Sequence, residues 1–218
     1  MHKFFLSAIA LFAASVLSSA QEPTTTWPYL YPDFTEGVVY LSSGQEFKRD
    51  VNVHLGHSHL HYIEDGVIRE IISEVVAVQM GGDDFIVRDG EVYKVEAKKG
   101  GALIVSRTTG DFASLSDTGG AYGASSSTSA TNKVSSIVDR NTVGISHSLL
   151  LQEKCEGQLL PLKTALYVVT EDFVCPATKK ALEERYPHRL EEFRAFVKRN
   201  KIRFGNVGSV SKILDFIE

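Results

Sequence analysis

Val76-Ala77-Val78-Gln79-Met80-Gly81-Gly82-Asp83-Asp84-Phe85-Ile86-Val87-Arg88-Asp89-Gly90-Glu91-Val92-Tyr93-Lys94-Val95-Glu96-Ala97 decides the fold. Successive side chains of an extended chain point to opposite sides, so residues two apart share a face. Val76, Val78 and Met80 fall on one face by that rule; so do Phe85 and Val87, and then Tyr93, Val95 and Ala97. Gly81-Gly82 and Asp89-Gly90 stand between the runs, and Asp-Gly suits the tight type I′ turn that matches strand twist. The run reads as three strands joined by two hairpins.

The same grammar extends outward over Gly37–Arg107. Further turn signals lie at Ser43-Gly44, Gly56, Asp65-Gly66 and Gly100-Gly101, and Val51, Val53 and Leu55 share a face. Turns mostly about 8–12 residues apart indicate an antiparallel meander, rolled or barrel-like so that its apolar face is covered. Val67-Ile68-Arg69-Glu70-Ile71-Ile72 fits a strand or a short helix. Beyond it, Val143–Glu153 and Leu159–Thr170 read as two more strands, turning at Glu156-Gly157.

A change of period marks the C-terminal end. Leu182, Tyr186, Leu190, Phe193 and Val197 recur at helical spacing. Pro176 suits a first helical turn, and Pro187 divides the stripe into helices over 177–186 and 188–200. Ser209 is placed to cap a last helix bearing Val210, Ile213, Leu214 and Ile217. The fold class is therefore α+β, an antiparallel β meander followed by C-terminal helices. Between the halves, 17 of the 24 residues from Gly110 to Lys133 are Gly, Ala, Ser or Thr, too small-sided to fold alone. The expected organisation is 21–109 as the β domain, 110–133 as a Gly/Ser/Thr-rich loop, and 134–218 as a strand hairpin plus helices packed on the same domain.

Residues 1–20 have the form of an export signal. His2-Lys3 precedes an apolar run over Phe4–Leu17, and Ser18-Ser19-Ala20 offers small side chains to a signal peptidase. The run is shorter than the roughly 20 residues a membrane-spanning helix needs. No other stretch is as long without charge, so no transmembrane span is expected in the mature chain. Removing 20 of 218 residues leaves 198, and the net charge of −4 becomes about −5. That balance disfavours nucleic acid, and Lys198-Arg199-Asn200-Lys201 sits where a helix end favours cations.

Four of the seven histidines, His54, His57, His59 and His61, occupy eight residues. On a strand His59 and His61 project from one face about 7 Å apart, and His54 on the neighbouring strand completes a candidate metal triad, with His57 in reserve. Zinc, copper and nickel all accept imidazole. The competing reading places the histidines on a solvent-facing side, with Leu60 and Tyr62 supplying the buried face; clustered imidazoles could also charge together as pH falls. Cys155 and Cys175 form a candidate disulfide, worth about 3 kcal/mol in an oxidising compartment, or remain two buried thiols.

No catalytic residue and no cofactor-binding residue emerges. Ser209-Val210-Ser211-Lys212 has Ser-x-x-Lys spacing without its companion motifs. Gly144-Ile145-Ser146-His147-Ser148 lacks the last glycine of a nucleophile elbow. Gly119-Gly120-Ala121-Tyr122-Gly123 has no following Lys-Ser/Thr for phosphate. Asp83-Asp84 and Glu183-Glu184 read as solvated acids.

Tyr31-Pro32-Asp33-Phe34-Thr35-Glu36-Gly37-Val38-Val39-Tyr40-Leu41, followed by Gly44, Val51-Asn52-Val53 and Ile63, resembles a group of exported Bacteroidetes proteins of unknown function with an F-x-E-G-x-V-Y start. The resemblance continues through Phe85, Tyr93, Ala121-Tyr122-Gly123, Phe193 and Val197. It implies that the small-residue segment docks on the domain, and it implies neither an activity nor the histidine cluster. The expectation is an exported, non-catalytic cell-envelope protein, periplasmic, outer-membrane-associated or secreted, working through a protein or glycan partner. A metal-binding protein and a hydrolase with an unrecognised site are the alternatives. Exported in a bacterial host, the chain should begin at Gln21; an intact Met1 on the exported protein, read by amino-terminal sequencing, would overturn the leader assignment.

Overall fold

A computed structural model describes residues 23–71, 74–113, 142–154 and 159–217. The strands are β1 (Thr24–Thr25), β2 (Thr35–Leu41), β3 (Glu46–His54), β4 (His59–Glu64), β5 (Val67–Glu70), β6 (Val75–Met80), β7 (Asp83–Arg88), β8 (Glu91–Lys99) and β9 (Ala102–Gly110). Helix α1 (His147–Glu153) follows, then β10 (Leu160–Val169), β11 (Val174–Pro176), α2 (Lys179–Arg185), α3 (Leu190–Arg199), α4 (Val207–Val210) and α5 (Leu214–Ile217). Short 3₁₀ turns at Pro187–Arg189 and Ser211–Ile213 join the last helices. Among the described residues no helix is long and apolar enough to cross a membrane.

The strands form an antiparallel sheet in the order β1-β10-β9-β8-β7-β6-β2-β3-β4-β5, with β11 paired to β10, curled into a half-barrel. Asp65-Gly66 and Asp89-Gly90 have positive φ at both positions, the condition for the tight turns expected there. Curling brings the β3–β4 turn against the far side of the sheet, where Val92 N–H donates to Ser58 O at 2.7 Å and Gly110 N–H to Leu55 O at 2.9 Å. Val39, Val51, Val53, Leu60, Val78, Met80, Phe85 and Val92 fill the inner face.

Four local expectations change. Val76 is exposed and Val75 is buried in its place, because the β2–β6 register shifts at Tyr40/Leu41. The segment expected as a strand over Val143–Glu153 runs instead as edge backbone and helix. Ser146 bridges Val67 at the edge of β5, and α1 then turns Leu150 into the core while Leu149 and Leu151 face solvent. Pro176 closes β11 rather than opening a helix. Thr178 is the N-cap of α2, accepting from Ala181 N–H, and Asn206, not Ser209, caps α4 by accepting from Ser209 N–H. The Glu156-Gly157 turn lies outside the described residues, as does residue 114 onward of the small-residue loop.

The apolar stripe of the C-terminal helices covers one end of the sheet. Leu182, Phe193, Val210, Ile213, Leu214 and Phe216 pack on Ala102, Ile104, Val168 and Ala177. Fully burying a Leu or Phe side chain contributes roughly 1.5–3 kcal/mol, so this layer is a main source of stability. Phe216 is its centre, meeting Tyr186, Phe193 and Phe196 at ring separations of 5.5, 5.2 and 5.6 Å.

Gly37 lies mid-sheet on β2. A Cβ there would stand 2.5 Å from Val51 Cγ2 and 3.0 Å from Gln79 O, both held by neighbouring strands. Overpacking of this kind costs about 1–3 kcal/mol. Gly37→Ala should therefore lower the urea-unfolding free energy by that amount; an unchanged midpoint would show that β2 and β3 can separate freely.

Candidate functional site

Residues 27–34 form a strap between β1 and β2. Leu30 N–H donates to Val53 O at 2.9 Å and Leu55 N–H donates to Pro28 O at 2.8 Å, so this strap occupies the edge of β3 that β2 leaves vacant beyond Val51. The buried Asn52 amide bridges the break. It donates to Tyr31 O (2.9 Å) and Asp33 O (3.0 Å) and accepts from Tyr31 N–H (3.0 Å).

The strap lies on the face of β3 and β4 opposite the inner core. Asn52, His54, His59 and His61 share that face, since Asn52 pairs with His61 and His54 with His59 across the hairpin. Trp27, Tyr29, Ile68 and Leu150, with Phe34 beside them, form a second apolar layer over it. The solvent-facing reading thus fails for two of the four histidines. His54 is 2% exposed and His61 3%, while His57 remains exposed and His59 is partly covered.

Tyr29 organises the buried group. Its ring lies edge-on to both imidazoles, 5.3 Å from His54 and 5.6 Å from His61. Its hydroxyl is 3.0 Å from His61 Nδ1 and 2.7 Å from Thr142 Oγ1. A second polar branch runs outward. Glu70 Oε1 lies 2.8 Å from His59 Nδ1, and its other oxygen lies 4.0 Å from His61 Nε2, too long for a direct hydrogen bond. Glu70 and His59 also line a cavity of about 130 Å³ walled by Leu60, Ile71, Val75, Val87 and Val92.

Burial keeps this centre neutral. The His54 pKa falls to about 4 through burial, reinforced by the charges of His57 and His59. The His61 pKa falls to about 3 through burial, with His54 and His59 adding to it. Tyr29 is raised, chiefly by burial. His54 Nδ1 accepts from Gly56 N–H at 3.2 Å, which puts the proton of its neutral ring on Nε2. Among the described residues that nitrogen has no hydrogen-bond partner.

The candidate triad His54, His59 and His61 is brought to one face but not to one point. The His54 and His61 rings stack 5.1 Å apart with planes 14° from parallel. Imidazole lone pairs lie in the ring plane, so two stacked rings do not aim at a common ion. Among the described residues no three His, Cys, Asp or Glu side chains are grouped to hold a metal. Cys175, on β11, is a free, half-buried thiol whose pKa burial raises; Cys155 lies outside the described residues.

A second feature lies at the helical end. Gly101, Thr170, Glu171, Asp172, Phe173, Arg185 and Tyr186 border an open groove of about 470 Å³. The Arg185 guanidinium sits 4.2 Å from the Phe173 ring centroid. Nothing in the helical spacing of Tyr186 announced this groove, because Phe173 reaches it from the β10–β11 turn.

Comparison with known protein families, with curated proteins and with solved structures finds no match.

The histidine shifts set a pH dependence. Both folded pKa values lie below the ordinary value of 6.5, so between about pH 6.5 and pH 4 the unfolded chain binds more protons. Their contribution is whole above pH 6.5 and is lost as pH falls towards 4. From pH 7 to 4.5 the loss is on the order of 2 kcal/mol for each histidine. Urea melts should record this, and His54→Phe, which keeps a ring against Tyr29 and Phe112, should show a shallower dependence. Equal slopes in both proteins would rule out a titrating His54.

Proposed function

We propose that the chain is exported and works in the cell envelope, or outside the cell, as a non-catalytic binding module for a protein or glycan. The observation that carries the reading is how its polar groups are divided between core and groove. His54, His61 and Tyr29, all shifted by burial, are closed off where the strap covers the hairpin, so a substrate does not reach them. Their hydrogen bonds hold two layers together. This weighs against a hydrolase built on that network.

The groove has the chemistry of recognition. Aromatic and Arg side chains are favoured where surfaces bind partners, because they offer large contact at modest entropic cost. Arg185, held over Phe173, presents several donors beside Tyr186, and Glu171 and Asp172 add negative charge to the lining. A partner carrying both donor and acceptor groups suits that lining. The export-signal pattern of residues 1–20 and the resemblance of Tyr31–Leu41 to exported Bacteroidetes proteins support the location.

A photo-crosslinking side chain at Asp172 in the full exported chain tests this in intact cells. The expected result is a discrete adduct, absent from the same probe at Lys48 on β3, and reduced at least tenfold by Arg185→Glu. Equal labelling from both positions, or no effect of Arg185→Glu, would remove the groove as a binding surface.

A further inference from the structure

We propose that His57 and His59, ordered by Glu70, form a solvent-open site for one divalent transition-metal ion, with copper(II) preferred. This is a different ligand set from His54, His59 and His61, and it does not depend on the groove.

The hairpin separates its histidines into two pairs. Ser58, between His57 and His59, has a φ of 56°, in the left-handed region that non-glycine residues rarely adopt. The Ser58 N–H donates to His54 O at 2.9 Å and the Ser58 carbonyl accepts from Val92 N–H, so the unusual conformation is held from both sides. Its effect is to bring the neighbouring side chains to the same side of the turn. The His57 and His59 ring centroids are 5.6 Å apart, with planes 37° from parallel. Two imidazoles bound through nitrogens at about 2.0–2.1 Å to one ion have centroids roughly 5–6 Å apart. The observed spacing therefore fits a shared ion with side-chain rotation alone.

Glu70 supplies the second requirement. Its Oε1 is 2.8 Å from His59 Nδ1, so His59 donates Nδ1–H to the carboxylate and keeps the Nε2 lone pair for a metal. Metal-bound histidines are commonly held this way, and such partners raise ligand basicity and fix the ring. His57 is exposed and His59 is about one-third exposed, so water can complete the coordination. Imidazole ligands suit copper, nickel and zinc, and copper(II) stands highest in divalent affinity. With two protein ligands the site is open and exchangeable, unlike the closed four-ligand sites that hold zinc for structure.

The test uses the mature chain, stripped with chelator and titrated with copper(II), followed by calorimetry and electron paramagnetic resonance. One equivalent should bind, with a spectrum showing nitrogen ligands. His57→Ala and His59→Ala should each weaken binding at least tenfold, and Glu70→Gln should weaken it by roughly 10–100-fold while leaving the stoichiometry at one. Because the substituted side chains lie at the surface, the apo variants should melt within a few degrees of the parent, which separates lost binding from lost fold. Unchanged copper affinity in the His57→Ala/His59→Ala double variant would overturn the proposal. So would failure of the parent to bind, or loss of binding in His54→Phe with none in His57→Ala.

Discussion

Tyr29 reaches across two layers that the chain builds far apart in sequence. Its backbone pairs with His54 at the vacated edge of β3, and its hydroxyl meets His61 on β4 and Thr142 from the segment before α1. Around that point Trp27 and Phe34 come from the strap, Ile68 from β5 and Leu150 from α1. The strap depends in turn on Asn52. Where β2 and the strap diverge, one side-chain amide serves three backbone groups, Tyr31 N–H, Asp33 O and Tyr31 O, the last of which also accepts from the Trp27 indole N–H. A buried polar group left unpaired costs about 1–3 kcal/mol, so the amide sustains the route of the chain as well as its local contacts.

This arrangement makes the molecule tolerate two histidines in a core. An imidazole is an aromatic ring of useful size when neutral and a costly burial when charged. Stacking His54 on His61, with Tyr29 edge-on and Phe112 behind His54, treats both as aromatics. The arrangement suits neutral pH and becomes a liability in acid. Its hydrogen bonds explain why phenylalanine would be an incomplete substitute: Gly56 N–H and the Tyr29 hydroxyl each find a ring nitrogen.

The meander was legible because alternation and glycine turns are local properties. Phe85 and Val53 fall where period-2 reading places them, whereas Val92, of opposite parity to the expected Tyr93, Val95 and Ala97, is the residue of β8 that joins the inner face; the stripe from Leu182 to Phe193 gives the helical layer directly. Val76 was misplaced because a one-residue register shift reverses faces, and Val76 is the residue skipped where Tyr40 pairs with Ala77 and Leu41 with Val75. The helix at His147–Glu153 was misread because Leu149, Leu150 and Leu151 satisfy either period; only the position of Leu150 against Trp27 and Tyr29 selects one. Burial of His54 and His61 had no local signal. It depends on Tyr29, 25 residues earlier than His54, and Thr142, 81 residues later than His61.

The histidine cluster itself was visible in the sequence, but its chemistry was not, because eight residues that look continuous are divided by one backbone angle. On a plain hairpin His54, His59 and His61 would be equivalent members of one face, and His57 a bystander at the tip. The strap takes His54 and His61 from solvent, their Nδ1 atoms engaged by Gly56 N–H and the Tyr29 hydroxyl, while the left-handed Ser58 turns His57 towards His59. Glu70 stands at the boundary, bonded to His59 of the outer pair and 4.0 Å from His61 of the inner one. The cover over one pair therefore leaves the other as the accessible imidazoles of the hairpin. Metal chemistry, if it belongs to this fold, follows the strap's edge rather than the spacing of the letters.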